Sequence, residues 1–112
     1  MMEIKWDDSK DEIMNIFEIV ERNVSPIIPF LCPICDIRTA HIYMYRGENG
    51  RGTIWTWCSN CKSCAHWSKR QLPDWWHNAN FIDVAELTAH PVFLENKVDL
   101  IDKYLIHLLK EK

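Results

Sequence analysis

Apolar residues follow helical spacing at both ends of the chain and strand-like alternation in the middle. Ile13, Ile16, Phe17 and Val20 fall three and four apart, which places them on one face of a helix. Ser9 followed by Glu12 reads as a capping box ahead of that run: the serine accepts from a helical N–H and the glutamate reaches back. Asp11 and Glu12 suit the positive helix N-terminus. Pro26 and Pro29 forbid continuation, so the helix should stop near Asn23. Residues 24–31 then form an extended connector offering Ile27, Ile28, Phe30 and Leu31 to the core. The second helical run spans Asn96 to Lys110, where Val98, Ile101, Tyr104, Leu105, Leu108 and Leu109 make a broad apolar stripe. Lys103 and Lys110 fall on its outer side, and Lys110 suits the helix C-terminus.

Between these runs, His41 to Tyr45 is rich in β-branched and aromatic residues and predicts a strand. Residues 46–52, R-G-E-N-G-R-G, hold all three glycines of the chain and predict a hairpin turn. Residues 53–58, T-I-W-T-W-C, should pair back. Alternation puts Tyr43 with Tyr45, and Trp55 with Trp57, on one face of their strands. A third short strand is expected from Ala65 to Lys69. Pro73 opens a turn or short helix carrying Trp75 and Trp76, and Asp83 with Glu86 predicts another short helix ended by Pro91.

The chain has 112 residues, 47% of them apolar, including six Trp and four Phe. That suits one domain with a real core rather than a disordered segment. No apolar leader follows Met1, and no run approaches the ~18 apolar residues of a membrane span. A cytoplasmic protein without a membrane segment is therefore expected, where thiols stay reduced and cysteines favour metal over disulfides.

Five cysteines are present, four of them in two C-x-x-C pairs: Cys32/Cys35 and Cys58/Cys61. Two residues between ligands let a tight turn present both sulfurs to one ion, and two such turns give tetrahedral Cys₄ coordination. The 22 residues between Cys35 and Cys58 accommodate a hairpin. Cys61 and Cys64 also form a C-x-x-C, so the downstream pair has an alternative. The strand T-I-W-T-W delivers Cys58 directly into a knuckle, which favours Cys58/Cys61. Cys64 is then a buried small hydrophobe. Its rival role is a reactive thiolate activated by Lys62 and His66. Dithiol redox centres would need a βαβ setting that the pattern lacks. Replacement of a thiolate by His41 or His66 is a further alternative, although His41, His66, His77, His90 and His107 show no ligand spacing.

C-P-I-C, an aromatic hairpin and W-C-S-N-C together resemble a zinc ribbon across residues 30–70. The W-x-W-C-S-x-C-K-S stretch, the P-x-W-W segment and the final helix further resemble small uncharacterised bacterial zinc-ribbon proteins. The resemblance implies an α+β fold with one structural Zn²⁺. A ribbon sheet of two or three antiparallel strands would pack with an N-terminal helix (residues 1–29, with the connector) and a C-terminal helical segment (71–112). Common ribbons often carry Gly after the second cysteine of a knuckle, where this chain has Asp36 and Lys62.

Charge is uneven. Residues 1–31 hold three basic and seven acidic side chains, residues 32–72 six and two, and residues 73–112 four and seven. Three roles follow. A protein-interaction module, by analogy with immunity or antitoxin proteins, would use Trp75 and Trp76 as anchors. A nucleic-acid binder would stack bases on Tyr43, Tyr45, Trp55 and Trp57 and hold phosphates with Arg46, Arg51, Lys62, Lys69 and Arg70. An enzyme is not expected: no nucleophile–base–orienter set, phosphate-cradling loop or carboxylate pair is visible.

Overall fold

The computed structural model describes residues 5–22 and 26–111. Three antiparallel strands form one sheet in the order β1-β2-β3: β1 is Ala40–Arg46, β2 Arg51–Cys58 and β3 Cys64–Gln71. The hairpin turn is tighter than the seven residues expected. Its residues are 47–50, closed by Gly47 N–H donating to Arg51 O at 2.9 Å, with Gly50 at φ +83°. Gly52 lies in β2 opposite Arg46. A Cβ there would sit 2.2 Å from Tyr45 O and 2.6 Å from Leu72 Cδ1, so no side chain fits.

Direct pairing of His41 with Trp57 and of Tyr43 with Trp55 sets these aromatics on one face of the sheet. Trp57 Nε1 donates to Glu95, and Trp55 Nε1 donates to Thr88 O, so the C-terminal segment covers that face. The opposite face carries Ile42, Met44, Ile54 and Thr56. Thr56 Oγ1 approaches Met14 Sδ there, beneath the N-terminal helical segment. The sheet is thus buried on both faces, and the core runs continuously through all three layers.

The N-terminal segment begins as a 3₁₀ turn, Asp11–Met14, and continues as α1, Asn15–Arg22. Ile13, Ile16, Phe17 and Val20 are buried as their spacing predicts. The capping box does not form. Ser9 N–H and Oγ–H both donate to Asp7 Oδ1, and Lys10 occupies the cap position without a side-chain bond. The expected stop at Asn23 lies outside the described residues. Phe30 is buried and pairs with Ala40, but Ile27 and Leu31 point outward at 63% and 43% exposure.

Asp83 caps a short 3₁₀ turn, Val84–Glu86, by accepting from Ala85 N–H. Pro91 does not end that turn. It precedes α2, Val92–Glu95, where its missing N–H costs no helical bond. α3, Val98–Glu111, buries Ile101, Leu105 and Leu108. No helix among the described residues is long and apolar enough to cross a membrane.

Gly52→Ala should destabilise the protein by about 1–3 kcal/mol, the usual range for overpacking. Chemical denaturation measures it, and an unchanged midpoint would contradict the close approach of β1 and Leu72.

Candidate metal centre

Each C-x-x-C pair closes a turn that ends on a left-handed residue. Asp36 N–H donates to Cys32 O at 2.9 Å and Asp36 has φ +64°; Lys62 N–H donates to Cys58 O at 3.0 Å and Lys62 has φ +62°. The two turns therefore share one geometry, and both place a non-glycine residue where common ribbons carry glycine. A side chain in this region costs about 1 kcal/mol or more. Lys62 recovers part of that cost: its Nζ donates to Ser59 O and lies 5.5 Å from the Trp6 ring centroid.

The sheet brings the two turns together. Cys58 ends β2, and Ser59 N–H donates to Thr39 O, just ahead of β1. Phe30 and Ala40 exchange both backbone bonds and fix the approach to Cys32. The sulfurs of Cys32, Cys35, Cys58 and Cys61 all lie within 4.8 Å of one another. The Cys32–Cys61 and Cys35–Cys58 separations are 3.7 and 3.6 Å. A tetrahedral ion with ligand bonds of about 2.3 Å requires sulfur edges of about 3.8 Å, so the donor set fits.

Polar groups surround the sulfurs. The Ile34 and Cys35 amides donate to Cys32 Sγ, and the Cys61 amide donates to Cys58 Sγ. Thr39 Oγ1 lies 3.1 Å from Cys58 Sγ, Ser63 Oγ lies 3.2 Å from Cys61 Sγ, and Asn60 Nδ2 donates to Cys35. Burial pushes the Cys32 thiol up to about 12 and raises that of Cys58. Burial also opposes ionisation of Cys35, but bonds from Asn60 and the Ile37 amide outweigh it and bring its thiol down to about 7. The cluster favours thiolates unequally, and a bound cation would stabilise all four.

Cys64 stands outside the cluster. It is buried at the start of β3, and its N–H donates to Asp7 O. Desolvation, followed by the charges of Asp8 and Asp7, pushes its thiol up to about 11. That setting is opposite to an activated thiolate. His41 and His66 are not members of the cluster either.

A second constellation adjoins the centre and had no signature in the sequence. His41 Nδ1 donates to both oxygens of Asp102, at 3.0 and 3.1 Å. His41 Nε2 lies 3.0 Å from Ser59 Oγ, which lies 2.9 Å from Glu95 Oε2. Trp57 Nε1 donates to the same carboxylate oxygen at 2.8 Å. Carboxylate, imidazole and hydroxyl stand in the order of a hydrolase relay. The Glu95 carboxylate beside Ser59 Oγ opposes the negative charge that an attacking serine develops. The network ties the second knuckle to α2 and α3.

The other expected site residues divide. Trp76 is buried edge-on against Tyr43 and Tyr104, which removes it from a partner's reach, and Trp75 is half-buried against Trp76. Tyr43, Trp55 and Trp57 are also buried, so the expected base-stacking platform is absent; Tyr45 remains half-buried. Packing beneath the C-terminal segment is the reason in each case. Arg46, Arg51, Lys69 and Arg70 do converge, at the far end of the hairpin from the cysteines.

Compared with known proteins, the chain matches no family model, and no curated protein or solved structure is significantly similar to it. Fold and site therefore define its class: an α+β protein with a four-cysteine centre able to bind a metal ion.

Asp36→Gly should leave stability unchanged or raise it by up to about 1 kcal/mol, whereas Asp36→Val should lower it by about 1–3 kcal/mol. Thermal melts of the two variants check this, and equal effects would contradict the left-handed turn.

Proposed function

We propose that this protein is a non-catalytic, zinc-stabilised protein-interaction module built on a zinc ribbon. Zinc is the ion that four thiolates in a tetrahedron suit best, and a Cys₄ shell leaves no coordination position for substrate. The ion's role is then structural: it holds the first knuckle against the second.

One observation carries the interaction reading. Leu31 and Ile37 are 43% and 46% exposed at the loop that the first knuckle closes, and Ile27, in the connector leading to it, is 63% exposed. Cys32 N–H donates to Ile37 O, which draws Leu31 and Ile37 to the same end of that loop. Leu31 stands next to Cys32, whose side chain is turned into the cluster, and so points the other way. Covering these aliphatics with a partner would recover about 25 cal/mol per Å² of apolar surface. They replace the Trp75/Trp76 pair as the anchor of the binding surface.

Purified protein should contain one zinc per chain. Chelation should unfold at least the ribbon, because structural zinc contributes ~10–16 kcal/mol against a total domain stability of ~5–15 kcal/mol. Elemental analysis and circular dichroism read both, and metal-free protein with an intact fold would overturn the proposal. A Leu31→Ser/Ile37→Ser variant should keep its zinc and its melting temperature yet lose the protein captured by the wild type. Equal capture would remove these side chains from the interface.

A further inference from the structure

At the hairpin end of the sheet, remote from the cysteines, lies an open cavity of about 420 Å³. Arg46, Arg51, Lys69 and Arg70 line it, with Asp74 as the one acidic neighbour among the described residues. The lining therefore carries +3 in a chain whose net charge is −3. The ion pairs among the described residues all join a histidine to a carboxylate, so none of these four cations is in a salt bridge with a described carboxylate. Four cations gathered with a single carboxylate among them repel one another and favour an anion between them.

Two of the cations are fixed in advance. The Arg46 guanidinium donates to the carbonyls of Gly50, Pro73 and Trp76, which hold it in place without neutralising it. The Arg70 guanidinium lies over the Trp67 ring, 4.6 Å from its centroid. Asn49 Oδ1 is taken by Arg51 N–H, which leaves the Asn49 amide nitrogen as a donor. Lys69 is reached through a break in register between β2 and β3 and holds φ +58°. Such bulges redirect side chains at sheet edges.

We propose that this cavity binds a polyphosphate group. Guanidinium forks match phosphate oxygens two at a time. A single phosphate monoester carries only about −1.5 to −2 at neutral pH, so two linked phosphates complement the lining better. The cavity also lies in the size range of small-molecule sites, about 300–1,000 Å³. Nucleoside diphosphates offer this chemistry, whereas a nucleic-acid backbone carries single-charged phosphodiesters kept apart by sugars. This site is separate from the apolar knuckle loop, and neither proposal requires the other.

Isothermal titration of the full-length protein with pyrophosphate tests it. Saturable binding that weakens with added salt is expected, reduced at least about tenfold in an Arg51→Ala/Lys69→Gly variant. Glycine suits the φ of Lys69, so its substitution removes the charge without straining the strand. Arg70→Gln, measured separately, should also weaken binding and guards against misfolding of the double variant. ADP binding more tightly than pyrophosphate would identify a nucleotide site; oligothymidylate binding more tightly than pyrophosphate would overturn the proposal in favour of a nucleic-acid backbone. Absence of saturable binding, an unchanged affinity in the folded variants, or binding of an acidic peptide but not of pyrophosphate would each overturn the proposal.

Discussion

Four sulfurs drawn within 4.8 Å of one another are the constraint on which the rest of the molecule rests. They join two turns separated by 22 residues and fix where β1 begins and β2 ends. The Phe30–Ala40 pairing, the Ser59–Thr39 bond and the Asn60 donation to Cys35 also hold the first knuckle in place. Unbound thiols packed this closely gain only weak hydrogen bonds, whereas a shared cation converts the same proximity into folding free energy.

From the second knuckle the constraint passes to the helices through polar contacts. Ser59 sits between two of the cysteines, and its hydroxyl faces both His41 and Glu95. His41 hands the connection to Asp102 on α3, and Trp57 joins it to Glu95 on α2. Both His41 and the Trp57 ring are buried, so these bonds are made where water competes least. Apolar packing brings the C-terminal segment onto the sheet; this network selects the register in which it docks.

Much of this was legible in the sequence because it is local. The strands, α3 and the paired knuckles each announce themselves within a dozen or so residues, through periodicity or through cysteine spacing. The choice of Cys58 over Cys64 followed from the strand leading into it. What could not be read depends on partners distant in the chain. His41, Ser59 and Asp102 lie 18 and 61 residues from one another in sequence, so no spacing links them. Competition was equally hidden: Asp7 takes the Ser9 side chain that would have capped the first helix. For Leu31, apolar character alone could not say that closing the knuckle loop would leave it outside.

Among the described residues, the third strand has a neighbouring strand on one side only. Asp7 bonds beside its first residues, but from His66 to Gln71 every side chain is exposed. An unshielded row of amides and carbonyls of this kind invites stacking of one molecule on the next. Here the left-handed turn at Lys69 breaks the flat ribbon that such stacking needs, and Lys69 and Arg70 place like charges where two copies would meet. The irregularity that shapes the cationic cavity thus also makes this border strand a poor template for pairing with a second copy.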